Sequence, residues 1–362
     1  MLKILYDHQI FTEQIYGGIS RYFKYLIDGI TETEDINYKL GVLRAENYYI
    51  KDEYQPLKSS IFNPLFKTHE RLVKYNNSYC KYLVKKNDFS ILHPTYFNPY
   101  ILESLKKPLV ITVHDMTYEA LPQFFSSSDP LPYYKRLLME KAQKIIAISE
   151  TTKADILKYS TIKENKIEVI LHGIDLTTSE DVVIPNLPKK YVLFVGARWS
   201  YKNFHLAALA FKQLAHMHPD LKFILAGGGP LTYGDSEFLL RNKILDKTTQ
   251  ISASDAQLNT LYKNAVCLIF PSLYEGFGFP ILEAFKNSCP VLLSDCSCFR
   301  EIAGDAALYF DNSLESLVGQ LEKIIENPIL HDKMASNGKI KLLHYPIEKC
   351  ISKTLNLYQS IY

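Results

Sequence analysis

The feature that most constrains this chain is an alternation that runs from end to end: short apolar runs, each followed by a stretch with helical spacing. Parallel sheets with helical crossovers produce this pattern, because strands buried on both faces read as apolar runs and the helices that cover them read as amphipathic. In the first half, strands are expected at Leu2–Asp7, Tyr38–Leu43, Phe89–His93, Leu109–His114, Lys144–Ile148 and Ile167–Leu171, with helices at Ile19–Ile30, Phe66–Lys86, Pro132–Ala142 and Glu150–Tyr159. The alternation then breaks. Residues Thr177–Lys190 are polar, carry two prolines and have no period, so they read as a linker. It restarts with strands at Tyr191–Val195, Leu221–Ala226, Thr249–Ile251, Val266–Phe270, Val291–Ser294 and Ala307–Phe310. Helices are expected between them at Phe204–His216, Glu237–Leu245, Ala256–Asn264 and Pro280–Asn287, then at Ser313–Glu326, Leu330–Leu343 and Ile347–Tyr362.

A chain of 362 residues accommodates two domains of about 150–180 residues each. The expected class is therefore α/β, with two doubly wound, Rossmann-like domains, residues 1–176 and 191–345, with 177–190 between them and a final helix at 346–362. A formal net charge of +2 gives no reason to expect a nucleic-acid partner. The six cysteines lack the paired spacing of a zinc site, and reduced, buried thiols in a cytoplasmic protein are the expectation. The N-terminus enters a strand pattern directly, with no signal-peptide core, and no stretch approaches a transmembrane span.

In doubly wound sheets ligands bind beyond the carboxyl ends of the strands, so the polar residues there matter most. The most informative stretch is FPSLYEGFGFPILEA, Phe270–Ala284. A strand ends, a loop with Gly276, Phe277 and Gly278 follows, and Pro280 sits where a first helical turn begins. The glycines allow close backbone approach, and the helix N-terminus offers free N–H groups and positive partial charge to a diphosphate or sugar hydroxyls. Glu275 in the loop and Glu283 on the helix can hold two parts of one ligand. The second stretch is VLFVGARWSYKN, Val192–Asn203, where Gly196 precedes Arg198 and Lys202. Fixed cations at that level stabilise a leaving nucleoside diphosphate as it gains charge. Alone, two basic residues before a helix read as solvated; the pairing with the glutamate loop reverses that reading.

Two weaker signals lie in the first half. YGGISRY, Tyr16–Tyr22, places Gly17 and Gly18 at a helix start, where a phosphate can approach. VITVHD, Val110–Asp115, ends an apolar strand at His114, which can orient or polarise hydroxyls, with Asp115 beside it. Asp7, His93 and Asp115 stand at strand ends and are acceptor-side candidates, His93 as a residue lining the cleft. No GxGxxG with a following acidic residue occurs, so a nicotinamide-binding reading lacks its main support.

Taken together, these motifs resemble glycosyltransferase family 4, the large retaining group with the GT-B fold, and more closely its branch of bacterial polysaccharide and O-antigen mannosyltransferases. The resemblance rests on YGGISRYF, TVHD, AISETTKADIL, HGID, VGARWSYKN, FPSLYEGFGFPILEA and FREIAGDAALYFD, in that order along nearly the whole chain. It implies two domains facing a central cleft and a C-terminal helix that crosses back to the first domain. Relatives usually carry Trp where this chain has Ile347. It implies that Arg198 and Lys202, helped by Gly18, hold the donor diphosphate; that Glu283 binds the ribose; that Glu275 and the backbone of Gly276–Gly278 hold the donor sugar; and that His114 lies by the reacting sugar. The implied reaction is hexose transfer from a nucleotide-sugar, GDP-mannose first and a UDP-hexose second, onto a glycan or lipid-linked oligosaccharide. A sugar-nucleotide epimerase of the same fold is the alternative.

No Asp-x-Asp element that would carry a metal on the diphosphate is present, so no metal and no cofactor beyond the nucleotide-sugar is expected. Residues 57–86 carry seven Lys or Arg against Glu70, a net of +6, with aromatics interleaved. Such a segment suits an anionic membrane surface, which would make the protein peripheral on the inner face of the cytoplasmic membrane.

Overall fold

The computed structural model describes residues 1–177, 182–198 and 200–362; residues 178–181 of the expected linker and Trp199 lie outside them. The chain divides into two units, Met1–Gly173 with Ile347–Tyr362, and Ile174–Pro346.

In the first unit, strands β1 (Leu2–Tyr6), β2 (Ile36–Leu40), β3 (Ile91–His93), β4 (Val110–Val113), β5 (Lys144–Ala147) and β6 (Ile167–Val169) are all parallel. They pair as β2-β1-β3 and β4-β5-β6, and the bridge Leu92–Leu109 joins the two ladders. The order 2-1-3-4-5-6 reverses between β1 and β3, which makes that the switch point. Alternate strand residues feed two cores. Ile4, Tyr6, Ile91, Val110 and Ile146 face the helix Gly18–Thr31 and the C-terminal helix Ile347–Ile361. Leu5, Leu92, Ile111 and Ile145 face Cys80, Leu83, Leu138 and Ile156 on the other side.

The C-terminal helix is locked into this unit by a buried polar chain. The Tyr358 hydroxyl meets Tyr6 Oη at 3.0 Å and His93 Nδ1 at 2.6 Å, His93 Nε2 meets Thr112 Oγ1 at 3.0 Å, and Thr112 Oγ1 meets the Tyr22 hydroxyl at 3.1 Å. Ile347, in place of the expected tryptophan, is itself in the core.

The second unit is one parallel sheet of β7 (Tyr191–Val195), β8 (Lys222–Ala226), β9 (Thr248–Ile251), β10 (Cys267–Phe270), β11 (Val291–Ser294) and β12 (Leu308–Phe310), in the order β12-β11-β10-β7-β8-β9. This is the 3-2-1-4-5-6 order of nucleotide-binding sheets, with its switch point between β7 and β10. Every residue of β7, β10 and β11 is buried, as their unbroken apolar sequences require.

Several boundaries differ from expectation for local reasons. The helix expected from Phe66 starts at His69, because Thr68 caps it by accepting from Arg71 N, while Ser60–Phe66 with Pro64 forms a 3-10 turn. The helix expected at Glu237–Leu245 spans Tyr233–Arg241, because Thr232 and Asp235 form a capping box. Strand β2 ends at Leu40, since Leu43 N turns to the Asn76 side chain at 2.8 Å. Three short helices, Gln9–Glu13, Thr117–Ala120 and Ser297–Ala303, were too brief to show a period. Among the described residues the cysteines are free, and all but Cys296 are buried.

Candidate active site

The β7–β10 register pairs Val192 with Cys267 and Leu193 with Leu268, so Val195 and Phe270 end level and their loops leave from adjacent points. Leu273 N donates to Tyr201 O at 2.9 Å, tying one loop to the other. There the Lys202 ammonium meets Glu275 Oε1 at 2.5 Å, with the two side chains 19% and 16% exposed. Two residues 73 apart in sequence, expected independently to face a donor, are thus paired at the switch point of one sheet.

Below Glu275 the helix Phe279–Lys286 begins. Gly278 holds its N-cap at φ +97°, where a side chain would be strained, and a Cβ there would sit 3.0 Å from Ile281 Cδ1 and 3.3 Å from Phe299 Cε1. Gly278 has no side chain with which to cap this end, and Phe277 is buried against it. Glu283 is buried one turn on, where its Oε2 accepts from the Tyr262 hydroxyl at 2.9 Å. At Gly196, with φ +121°, a side chain would meet none of the described residues within 4 Å.

Arg198 is placed differently from expectation. Its Nε donates to Asp235 Oδ2 at 3.0 Å, Nη1 to Gly227 O at 3.2 Å, and Nη2 to the carbonyls of Gly228, Gly229 and Pro230 at 3.3, 3.0 and 2.7 Å. The side chain is 4% exposed and that of Asp235 11%. The guanidinium expected on the diphosphate is engaged by the chain itself. Sequence reasoning missed Asp235 altogether. Its signal was the Thr232-x-x-Asp235 capping pattern, hidden by placing the helix start too late.

In the first unit, Gly17 precedes the helix Gly18–Thr31 with extended backbone. A Cβ on it would overlap the Gln14 carboxamide, whose Oε1 accepts from Ser20 N at 3.4 Å; Gln14 therefore occupies the helix start. Asp7 is fully buried: its Oδ1 accepts from Thr95 N at 2.8 Å and Thr95 Oγ1 at 2.7 Å, and its Oδ2 from Gln9 Nε2 at 2.6 Å. His93, expected to line the cleft, is buried with both nitrogens bonded, and burial pulls its pKa down to about 3. Both residues fasten strand ends.

His114 is the exception among these strand-end groups. Its Nε2 is buried with no hydrogen-bond partner among the described residues, and burial holds its pKa down to about 4, so the ring is neutral. It stacks on His172 at 5.6 Å between centroids, with Tyr22 edge-on at 5.6 Å. His172, also missed from sequence, is held well below the ordinary histidine range by burial. Burial would raise the Asp115 pKa, but the Lys135 cation and the bonds from Thr117 outweigh it and keep the carboxylate ionised. Among the described residues no three His, Cys, Asp or Glu side chains gather as a metal site.

Residues 16–178 match the family described as glycosyltransferase family 4, and residues 178–341 the family described as glycosyl transferases group 1. The chain is 28% identical to the O-antigen chain mannosyltransferase RfbU of Salmonella typhimurium, a match over 59% of this chain and 61% of that protein. It is 24% identical to O-antigen chain mannosyltransferase B of Escherichia coli, over 75% of this chain and 74% of the relative. Among solved structures, sucrose-phosphate synthase from Thermosynechococcus elongatus superposes with a TM-score of 0.76 at 17% identity, over 99% of both chains. HepE of Anabaena, in complex with UDP and glucose, superposes at 0.74 and 16% identity, over 99% of this chain and 100% of that one. Across residues 16–341 the chain is thus a glycosyltransferase family 4 region followed by a glycosyl transferases group 1 region, the make-up of a glycosyltransferase, and it has the GT-B fold.

Proposed function

We propose that this enzyme transfers mannose from GDP-mannose, with retention at the anomeric carbon, onto a glycan or lipid-linked oligosaccharide in cell-surface polysaccharide synthesis. The single observation that carries the donor site is the Lys202–Glu275 pair at the β7–β10 switch point, beside a helix N-terminus whose cap residue is Gly278. Lys202 and that helix end supply positive charge for the diphosphate, Glu275 and the backbone at Gly276–Gly278 take the sugar, and Glu283 takes the ribose. The C1–O bond to phosphate breaks while the acceptor oxygen bonds C1 on the same face. The acceptor's proton passes to the departing phosphate oxygen, so alignment and charge stabilisation do the chemistry. Neutral His114 offers its unpartnered Nε2 to a hydroxyl of the reacting sugar. Charge stabilisation by Lys202 and the helix makes the reaction independent of divalent metal.

The choice of mannose follows the two O-antigen mannosyltransferases. A UDP-hexose is the second reading, favoured by the 24% identity to a UDP-Gal:α-D-GlcNAc-diphosphoundecaprenol galactosyltransferase of Escherichia coli, over 76% of each chain. Calorimetric titration of GDP, UDP, ADP and dTDP with and without EDTA tests both. Tight GDP binding unaffected by EDTA is expected, UDP binding would select the second reading, and no binding would overturn the donor site.

We further propose that residues 57–86 rest on an anionic membrane surface. No helix among the described residues is long and apolar enough to cross a membrane. All seven cations of the segment are exposed, and so are Ile61, Leu65, Tyr75 and Tyr82. Each cation near such a surface contributes about 1 kcal/mol. Replacing Lys81, Lys85 and Lys86 with Glu should abolish sedimentation with anionic liposomes; unchanged sedimentation would remove the idea.

A further inference from the structure

We infer that Asp235 is a positioning residue of the donor site, fixing Arg198 as a strut that clamps the Gly227–Pro230 loop to the turn after β7. This rests on the donor site proposed above.

A guanidinium has five N–H groups. Here Nε is committed to Asp235, Nη1 gives one hydrogen to Gly227 O, and the two on Nη2 are shared among three carbonyls. At most one N–H remains for a ligand. The loop it holds needs such a clamp. Gly227, Gly228 and Gly229 stand at φ +75°, +67° and +74°, three successive residues in a conformation with no repeating hydrogen-bond pattern of its own. The faces of the loop are unequal. A Cβ on Gly228 would lie 2.5 Å from Gly196 O and 3.0 Å from both Ala197 Cα and Arg198 Nη1, so this residue is pressed against the β7 turn. Among the described residues a Cβ on Gly229 would meet nothing within 4 Å, as at Gly196. Arg198 thus lies on the closed side of two glycine turns whose other sides are open to a ligand.

Asp235 is suited to the role because its own position is fixed twice. It is the third residue of the helix Tyr233–Arg241; its Oδ2 accepts from Thr232 N at 2.9 Å, and its backbone N–H donates to Thr232 Oγ1 at 3.1 Å. Burial works against its ionisation, but the bonds from Thr232 and Arg198 prevail and hold its pKa below the usual carboxylate range. One carboxylate oxygen therefore joins the start of that helix to the turn after β7.

The test compares wild type with Asp235→Asn, Arg198→Lys and the double variant. Each is titrated with the nucleoside diphosphate that wild type binds, melted, and followed by hydrogen exchange at residues 227–229. Asparagine can still cap Thr232 but loses the charge, and lysine keeps charge but loses the fork. Each single change should weaken the nucleotide about tenfold and raise the donor KM while leaving the acceptor KM unmoved. The double variant should be no worse than the weaker-binding single, because the two side chains act as one unit. Unchanged or tighter binding by Asp235→Asn overturns the strut, since that is what a guanidinium released towards a diphosphate would give. A lower melting temperature with unchanged donor affinity also overturns it, leaving Asp235 a helix cap alone. If wild type binds none of the nucleotides, the donor site falls, and the strut is then decided by exchange alone: faster exchange at Gly227–Gly229 in both single variants supports it, and equal rates overturn it. If Asp235→Asn does not fold, Arg198→Lys carries the same comparison.

Discussion

At the switch point of the second unit, Lys202 and Glu275 meet across two loops and keep 19% and 16% of their side-chain surface open. At the switch point of the first unit, Asp7 and Thr95 also meet across two loops, but Asp7 is wholly buried and bonded to Thr95 and Gln9. Both sheets are parallel, and both reversals bring two strand ends level: Val195 beside Phe270, Tyr6 beside His93. The difference lies in what the loops carry. After β7 and β10 come glycines at positive φ, a helix end capped by glycine and a long flexible cation. After β1 and β3 come short side chains that reach one another and close the crevice. Sheet order thus says where a ligand can bind, and the satisfaction of the polar groups there says whether it does.

The largest expected effect tests the open switch point. Lys202→Ala should lower kcat/KM for the donor by about 10²–10³-fold, the range for loss of one fixed charge-stabilising donor. The melting temperature should move little, because a partly exposed pair adds little to stability. A normal rate per folded molecule would make the pair a surface tie and cancel the contrast. The closed switch point should respond the other way. Asp7→Asn puts an amide N–H against a donor already pointed at Asp7, which costs about 3 kcal/mol and lowers the melting temperature by several degrees. Activity per folded molecule should persist; its loss at unchanged stability would return Asp7 to the acceptor side.

Much of the fold was legible because its strands are buried on both faces, so β7 and β11 fall where their apolar runs fall. The C-terminal helix was legible only through resemblance, since nothing local in Ile347–Ile361 says which sheet it covers; that is settled by the tertiary bonds of Tyr358. The glutamate loop could be read because its glycines and Pro280 write a turn and a helix start into the sequence. The bonds that Arg198 and His93 make within the chain were illegible for the same physical reason. A polar residue at a strand end reads as a ligand for something, and sequence does not reveal that the something is the chain's own carbonyls or a tyrosine 265 residues away. Gln14, Asp235 and His172 escaped notice because their roles exist only through neighbours brought together by folding.

The smallest effect concerns pH and sharpens the comparison within the first unit. His93, His114 and His172 are all held below the ordinary histidine value by burial, His93 at about 3 and His114 at about 4. The unfolded chain then binds more protons than the folded one between pH 6.5 and about 4. Stability is therefore complete above pH 6.5 and is lost progressively as pH falls through that window. By pH 5 one such group has cost about 2 kcal/mol. His93 and His114 separate at this point, because His93 is bonded through both nitrogens while His114 keeps an unpartnered Nε2. His114→Gln should remove one proton's share of the acid destabilisation with little loss of stability at pH 7.5, and should lower turnover at every pH. His93→Gln should remove the same share but lower the melting temperature at pH 7.5, by unmaking the bond to Tyr358 that fastens the C-terminal helix. Melting curves and rates from pH 4.5 to 7.5 decide it. If the two variants behave alike, the neutral His114 ring is another strand-end fastening, and the first unit contributes no polar group to the reacting sugar from that strand.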